Sequence, residues 1–143
     1  KMKINISSDH AGFKLKESII NYLSNKHEIN DLGPFSEESV DYPDFAHKLV
    51  KDLIGNKVPI GILICGSANG ISMAANKHKD IRAAICWTKE IAILAKQHND
   101  ANILSLPARF VNEKEALEIV DSFIDTNFEG GRHLRRVNKI NCV

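Results

Sequence analysis

The chain has 143 residues, 43% of them hydrophobic and 26% charged, with a formal net charge of +1. Its length suits a single domain, residues 1–143, whose core can stand without disulfide or metal staples. The charge balance excludes an overall basic field for nucleic acid or a membrane surface, and no apolar run approaches the roughly 20 residues that cross a bilayer.

Residues 2–6 form the first β-rich run. In residues 12–24, Phe13, Ile19, Ile20 and Leu23 recur near helical spacing with Lys14, Lys16, Glu17 and Asn21 between them, the pattern of an amphipathic helix. A weaker, more polar strand is predicted at 28–32, then a helix at 43–54, a strand at 60–64 and a helix at 68–78. A strand at 83–87, a helix at 89–97 and a strand at 103–106 follow. The helix predicted at 113–126 places Ala116, Leu117, Val120, Phe123 and Ile124 on one face. Residues 130–143 differ: two glycines, then Arg132-His133-Leu134-Arg135-Arg136, then a polar tail. They read as an extra C-terminal helix. Strands alternating with helices define an α/β protein, here a three-layer Rossmann-like sandwich with a five-stranded parallel sheet.

In open parallel sheets, ligands bind beyond the C-terminal strand ends. Two loops fall there: residues 7–12, Ser-Ser-Asp-His-Ala-Gly, and residues 65–70, Cys-Gly-Ser-Ala-Asn-Gly. The second presents the backbone N–H groups of Gly66, Ser67, Ala68, Asn69 and Gly70 at a helix start, where they can hold a phosphate or a developing oxyanion. Cys65, facing that helix start, is expected to have a lowered pKa. Cys86, inside an apolar run, reads as a buried structural thiol, and Cys142 as incidental. Asp9 and His10 read either as a helix N-cap followed by a surface histidine, or as two ionisable groups aimed at the cleft of Cys65. Tyr42 either lines that cleft or packs.

His98-Asn99-Asp100 reads as the C-terminal cap of the fourth predicted helix. Arg132 and Arg136 lie four apart and share a helix face, with His133 beside them. Paired guanidinium groups suit the oxygens of a phosphate, and Arg109, after the fifth strand, is placed to join them. The histidines are scattered and no HxH, HExxH or CxxC pairing occurs, so no metal is expected. The dinucleotide fingerprint GxGxxG is also missing after the first strand, and no cofactor is expected. An odd number of cysteines without paired spacing points to a reducing compartment. With no secretory pattern at the start of the sequence, the expected location is the cytoplasm.

Together these segments resemble the type B ribose-5-phosphate isomerases, in the wider family that includes galactose-6-phosphate isomerase subunits. The resemblance runs from Ser7-Ser8-Asp9-His10-Ala11-Gly12 through Asp41-Tyr42-Pro43-Asp44, Cys65-Gly66-Ser67 and Asn76. It continues to His98-Asn99-Asp100-Ala101-Asn102 and Gly131-Arg132-His133. It implies interconversion of ribose 5-phosphate and ribulose 5-phosphate, a pentose phosphate pathway step, by proton transfer between C1 and C2 through an enediol. It further implies Cys65 as the base and His98 as the acid that opens the ring, with Asp9 in support. Asp9, His10, the 66–70 loop and Asn99 match substrate-binding positions. Arg109, Arg132 and Arg136 match the phosphate site, with His133 among them. Ser67 is placed to relay a proton between the substrate oxygens.

Many members with the cysteine carry Cys-Gly-Thr-Gly-Ile-Gly, whereas this chain has Ala68 and Asn69 in mid-loop. A second branch uses a glutamate just after the loop as base; here that place holds Ile71. Cys65 is therefore the candidate base. His98 and Asn99 precede the fifth strand, taken here as the sheet edge opposite Cys65, so they are expected to enter the cleft from a second subunit. The active unit is then a homodimer with a shared site, or a tetramer built from it. The alternatives are an isomerase of a six-carbon phosphate (allose or galactose 6-phosphate) and a non-catalytic sugar-phosphate sensor. A thiol phosphatase is disfavoured because no arginine follows Cys65 in its loop.

Overall fold

A computed structural model describes residues 1–143. Its elements are β1 (Lys3–Ser8), α1 (Phe13–Leu23), β2 (Glu28–Asp31), α2 (Tyr42–Gly55), β3 (Ile60–Cys65) and α3 (Asn69–Ala75). They continue with β4 (Ala83–Ile85), α4 (Lys89–Asn99), β5 (Ile103–Pro107), α5 (Glu113–Asp125) and α6 (Arg132–Asn138). All pairings in the sheet are parallel, in the order β2-β1-β3-β5-β4. One expectation is corrected here. β5 is not the edge strand: it lies between β3 and β4, and β4 forms the edge.

Sequence and burial agree strand by strand. β3, Ile-Gly-Ile-Leu-Ile-Cys, is buried at all six positions, as a central parallel strand covered on both faces must be. Alternate side chains serve opposite layers. Ile62, Ile64, Leu104 and Leu106 meet Ile19 and Leu23 of α1, Ala92 and Ala95 of α4, and Ile119 and Phe123 of α5. Leu63, Cys65 and Ile103 face Leu49 and Val50 of α2 and Ile71 and Ala75 of α3. Cys65 thus belongs to the α2/α3 face, and α4 to the other.

Local rules account for the element ends. Pro43 sits in the first turn of α2, where its missing N–H costs nothing. Thr88 caps α4 by accepting from Ile91 N; Cys86, whose N still donates to Ser105 O at 3.1 Å, shares the core face of Ala84 and is fully buried. Asn112 and Glu115 form a reciprocal capping box on α5. Gly130 and Gly131 both have positive φ, 70° and 56°, a backbone that glycine adopts without penalty; they turn the chain so that α6 packs beside α4. No helix is long and apolar enough to cross a membrane.

β2, Glu-Ile-Asn-Asp, is a polar edge strand. Beside it Lys16 of α1 is fully buried. Its Nζ lies 2.7 Å from Asp31 Oδ1, with the Phe13 and Phe35 rings 5.3 and 5.5 Å away. Asp31 Oδ1 also accepts from Gly33 N at 2.9 Å. The ammonium is thus paired and flanked by aromatic faces, the condition under which a buried lysine is tolerated.

Candidate active site

The C-terminal end of β3 is built from three adjacent loops. Asp9 N, after β1, donates to Ile64 O at 3.1 Å; Ala108 N and Arg109 N, after β5, donate to Cys65 O and Gly66 O at 2.9 and 3.1 Å. The sheet register therefore continues past the strands and sets Asp9 and Arg109 on either side of Cys65. The loop after β3 must be thin. A Cβ on Gly66 would lie 3.1 Å from Arg109 Nη1, and one on Gly70 would lie 2.5 Å from the Tyr42 ring. Tyr42 thus packs over the loop and covers it.

The Cys65 thiolate would accept from the backbone N–H groups of Ile71, Ala68 and Ser67, each of which lowers its pKa. Nevertheless the thiol is pushed up rather than down, which corrects the expectation of an acidified sulfur. The main cause is burial, and the Asp9 carboxylate adds to it. Cys65 is only 5% exposed, so desolvation outweighs what the three amides return. Ala68 holds the turn with φ 67°, left-handed although it is not glycine, and is fully buried. That conformation costs a non-glycine residue about 1–2 kcal/mol.

Asp9 is the N-cap that one reading made of it. It caps the short 3-10 turn at His10–Gly12, accepting from Gly12 N at 3.0 Å, and its charge reaches Cys65. His10 Nδ1 accepts from Val40 N at 3.2 Å, so in the neutral ring the proton sits on Nε2. Ser67 Oγ accepts from Asn69 N at 3.3 Å. Asn76 joins the end of α3 to β4 through a double hydrogen bond with the backbone of Ala83, at 2.8 and 3.0 Å. Beside the loop, a groove of about 540 Å³ opens between α3 and edge strand β4, lined by Asn69, Ser72, Met73, Asn76, Lys77 and Ile85 among others. No cavity of the single chain reaches Cys65.

The remaining candidates gather elsewhere. His98 and Asn99 end α4, and Asp100 caps it with φ 48°. Because β5 starts a few residues later, these residues lie at the N-terminal ends of the strands, and α4 covers the face away from Cys65. The His98 ring stacks on His133 with centroids 4.2 Å apart, and both Nε2 atoms face Glu129 Oε1, at 3.8 and 3.4 Å. Arg132 and Arg136 are exposed on α6. Arg109, held at Gly66, does not join them within one chain. The view of the histidines as scattered also fails here. Two of them, 35 positions apart, meet through the α4–α6 packing. The one signal that Glu129 leaves in the sequence is its spacing of four from His133.

A thiol at the end of a central strand, roofed by amides, with the Asp9 carboxylate acting on it and the Arg109 guanidinium lying over Gly66, stands at the carboxyl strand ends where open α/β sheets bind small ligands. The chain belongs to the ribose/galactose isomerase family, whose sequence model matches residues 4–140. It is 42% identical over 142 residues to ribose-5-phosphate isomerase B of Escherichia coli, covering 99% of this chain and 95% of that one. A crystal structure of a ribose 5-phosphate isomerase from Thermotoga maritima superposes with a TM-score of 0.97 at 52% identity, covering 99% of both chains. The Mycoplasma genitalium ribose-5-phosphate isomerase B, crystallised with bound ribulose 5-phosphate, gives 0.92 at 46% identity, covering 96% of this chain and 93% of that one.

Proposed function

We propose that the chain, acting as one domain over residues 1–143, interconverts ribose 5-phosphate and ribulose 5-phosphate in the cytoplasm without a metal or cofactor. The observation that carries this reading is the Cys65 thiol at the end of β3, beneath the amides of Ser67, Ala68 and Ile71 and beside Asp9. An α-hydroxy carbonyl proton is weakly acidic, so its removal needs a base close to the carbon and hydrogen-bond donors for the enediolate oxygen. Cys65 as thiolate takes the proton from C2 of the open-chain aldose and returns it to C1. The loop from Gly66 through Gly70 stabilises the oxygens, while the Ser67 hydroxyl moves the proton between them. A raised pKa makes the thiolate a stronger base but a scarcer one, so cations brought by a second copy favour it.

His98 and Asn99 enter from that second copy, making the active unit a homodimer with a shared site or a tetramer assembled from it. The support is topological: His98 lies at the other end of the strands from Cys65 and behind the other face of the sheet. Along α4, Ile91 and Leu94 are exposed, and with His98 they share one face at spacings of three and four. His98, supported by Asp9, protonates the ring oxygen as the sugar opens. Arg109 of one copy, with Arg132, His133 and Arg136 of the other, holds the phosphate. His10, through Nε2, and Tyr42 complete the sugar site.

The test is an isomerisation assay with ribose 5-phosphate beside allose 6-phosphate, with and without chelator. Turnover of the pentose that survives chelation, and inactivation by a thiol-alkylating reagent that substrate prevents, are the expected results. Preference for the hexose would move the substrate assignment. A Cys65→Ala variant with unchanged turnover would overturn the mechanism.

A further inference from the structure

The cluster of His98, Glu129 and His133 has a property that acid catalysis and phosphate binding do not use. Its three ligating atoms all lie within 4.8 Å of one another, and the two Nε2–Oε1 separations are 3.8 and 3.4 Å. Donors bonded at about 2.0–2.1 Å to a tetrahedral ion sit about 3.4 Å apart. The two rings are stacked 11° from parallel, so a cation is enclosed once the half-exposed His98 ring tilts out of the stack and its Nε2 lone pair converges with that of His133. Two imidazoles and a carboxylate are the donor set of borderline divalent transition ions, with a fourth position left for water. Glu129 is tethered for this role: its backbone N donates to Gln97 O at 3.1 Å. The His98 and Glu129 side chains are 40% and 50% exposed, which leaves an entry path, while His133 is 12% exposed and walls the inner side.

We propose that His98, Glu129 and His133 form a reversible Zn²⁺-class binding site through which the ion inhibits the enzyme. The ion occupies the Nε2 atoms of both histidines, so neither the ring-opening acid nor the phosphate-binding imidazole is available while it is bound. Binding therefore competes with the sugar phosphate. Arg132 and Arg136 on the same helix repel a dication, which makes the site exchangeable rather than permanently filled. The inhibition half of this inference rests on the function proposed above; the binding half does not.

The intact, metal-stripped protein is titrated with ZnCl₂ by calorimetry and with Co²⁺ by visible absorption, beside Glu129→Gln and His133→Asn, each first checked for an unchanged melting temperature. One ion per chain is expected, with affinity falling about tenfold or more in each variant as one of three ligands is lost. Zn²⁺ should inhibit the wild type competitively with sugar phosphate, reversibly on adding chelator. Zn²⁺ affinity equal to wild type in both variants would overturn the site, as would an intense thiolate-to-Co²⁺ band placing the ion on a cysteine. A wild type without isomerase activity that still binds Zn²⁺ in a Glu129-dependent way would leave the site standing and remove the catalytic reading instead.

Discussion

The two ends of the strands are built by different means. Around Cys65 the backbone dominates: register with β1 and β5, three amides aimed at one sulfur, and two glycines pressed against neighbours. Around His98 side chains dominate: a ring stack, imidazole–carboxylate contacts of 3.4 and 3.8 Å and a double-glycine turn. A backbone-built half site is finished when the sheet forms. A side-chain-built half site depends on how α6 packs against α4. On the function proposed above, the first half carries proton transfer, which is sensitive to small misplacements, and the second carries capture and release of the substrate.

The contrast makes Cys65→Ala the largest effect, lowering kcat about 10³-fold or more while substrate still binds, as read by turnover and calorimetry. His98→Asn should lower kcat about 10²-fold. Mixing it with Cys65→Ala subunits should restore about a quarter of wild-type activity, because half the random dimers carry one intact site. No restoration after verified subunit exchange would place both residues in one chain's site and end the comparison. Arg136→Ala should mainly raise KM, about tenfold or more, by removing a charge-assisted phosphate contact.

Smaller effects probe the finished half and its surroundings. Burial pushes the Cys86 thiol up from its ordinary 9.0 to about 12. The folded state then holds a proton that the unfolded state has lost, so stability falls as pH rises above 9, by up to about 1.4 kcal/mol per pH unit. Melting curves between pH 8 and 10.5 should show a shallower decline in Cys86→Ala than in wild type; parallel curves would refute the assignment. The smallest change is Ala68→Gly. Relief of about 1–2 kcal/mol of left-handed strain is offset by a lost buried methyl worth about 0.8 kcal/mol and by glycine's unfolded freedom. Its melting temperature should stay within a few degrees of wild type.

What the sequence made legible follows the same division. Apolar periodicity is local, so all five strands and six helices could be placed, with errors of a few residues where capping intervened, as at Thr88. The position of β5 was missed because strand order depends on crossovers that leave no mark in a short run such as Ile-Leu-Ser-Leu. The loop of Cys65 could be read because its residues are contiguous. Its raised pKa could not, because desolvation comes from α2 and α3 packing over the sulfur. The meeting of His98 with His133, and the part of Glu129, depend on how α6 folds back over α4, a contact between segments 30 or more residues apart.

The buried Lys16–Asp31 pair bears on how the edge of the sheet finds its place. A strand as polar as Glu28–Asp31 has little hydrophobic preference for one alignment over another. A slip of one residue would carry Asp31 to the opposite face and strand an ammonium among Phe13 and Phe35, at a cost of about 3–5 kcal/mol. The pair therefore favours the native alignment of the edge strand over its one-residue neighbours. Since Gly33 follows this strand and Val40 N, further along the same loop, donates to His10 Nδ1, the alignment of an edge strand far from the thiol also bears on where His10 sits.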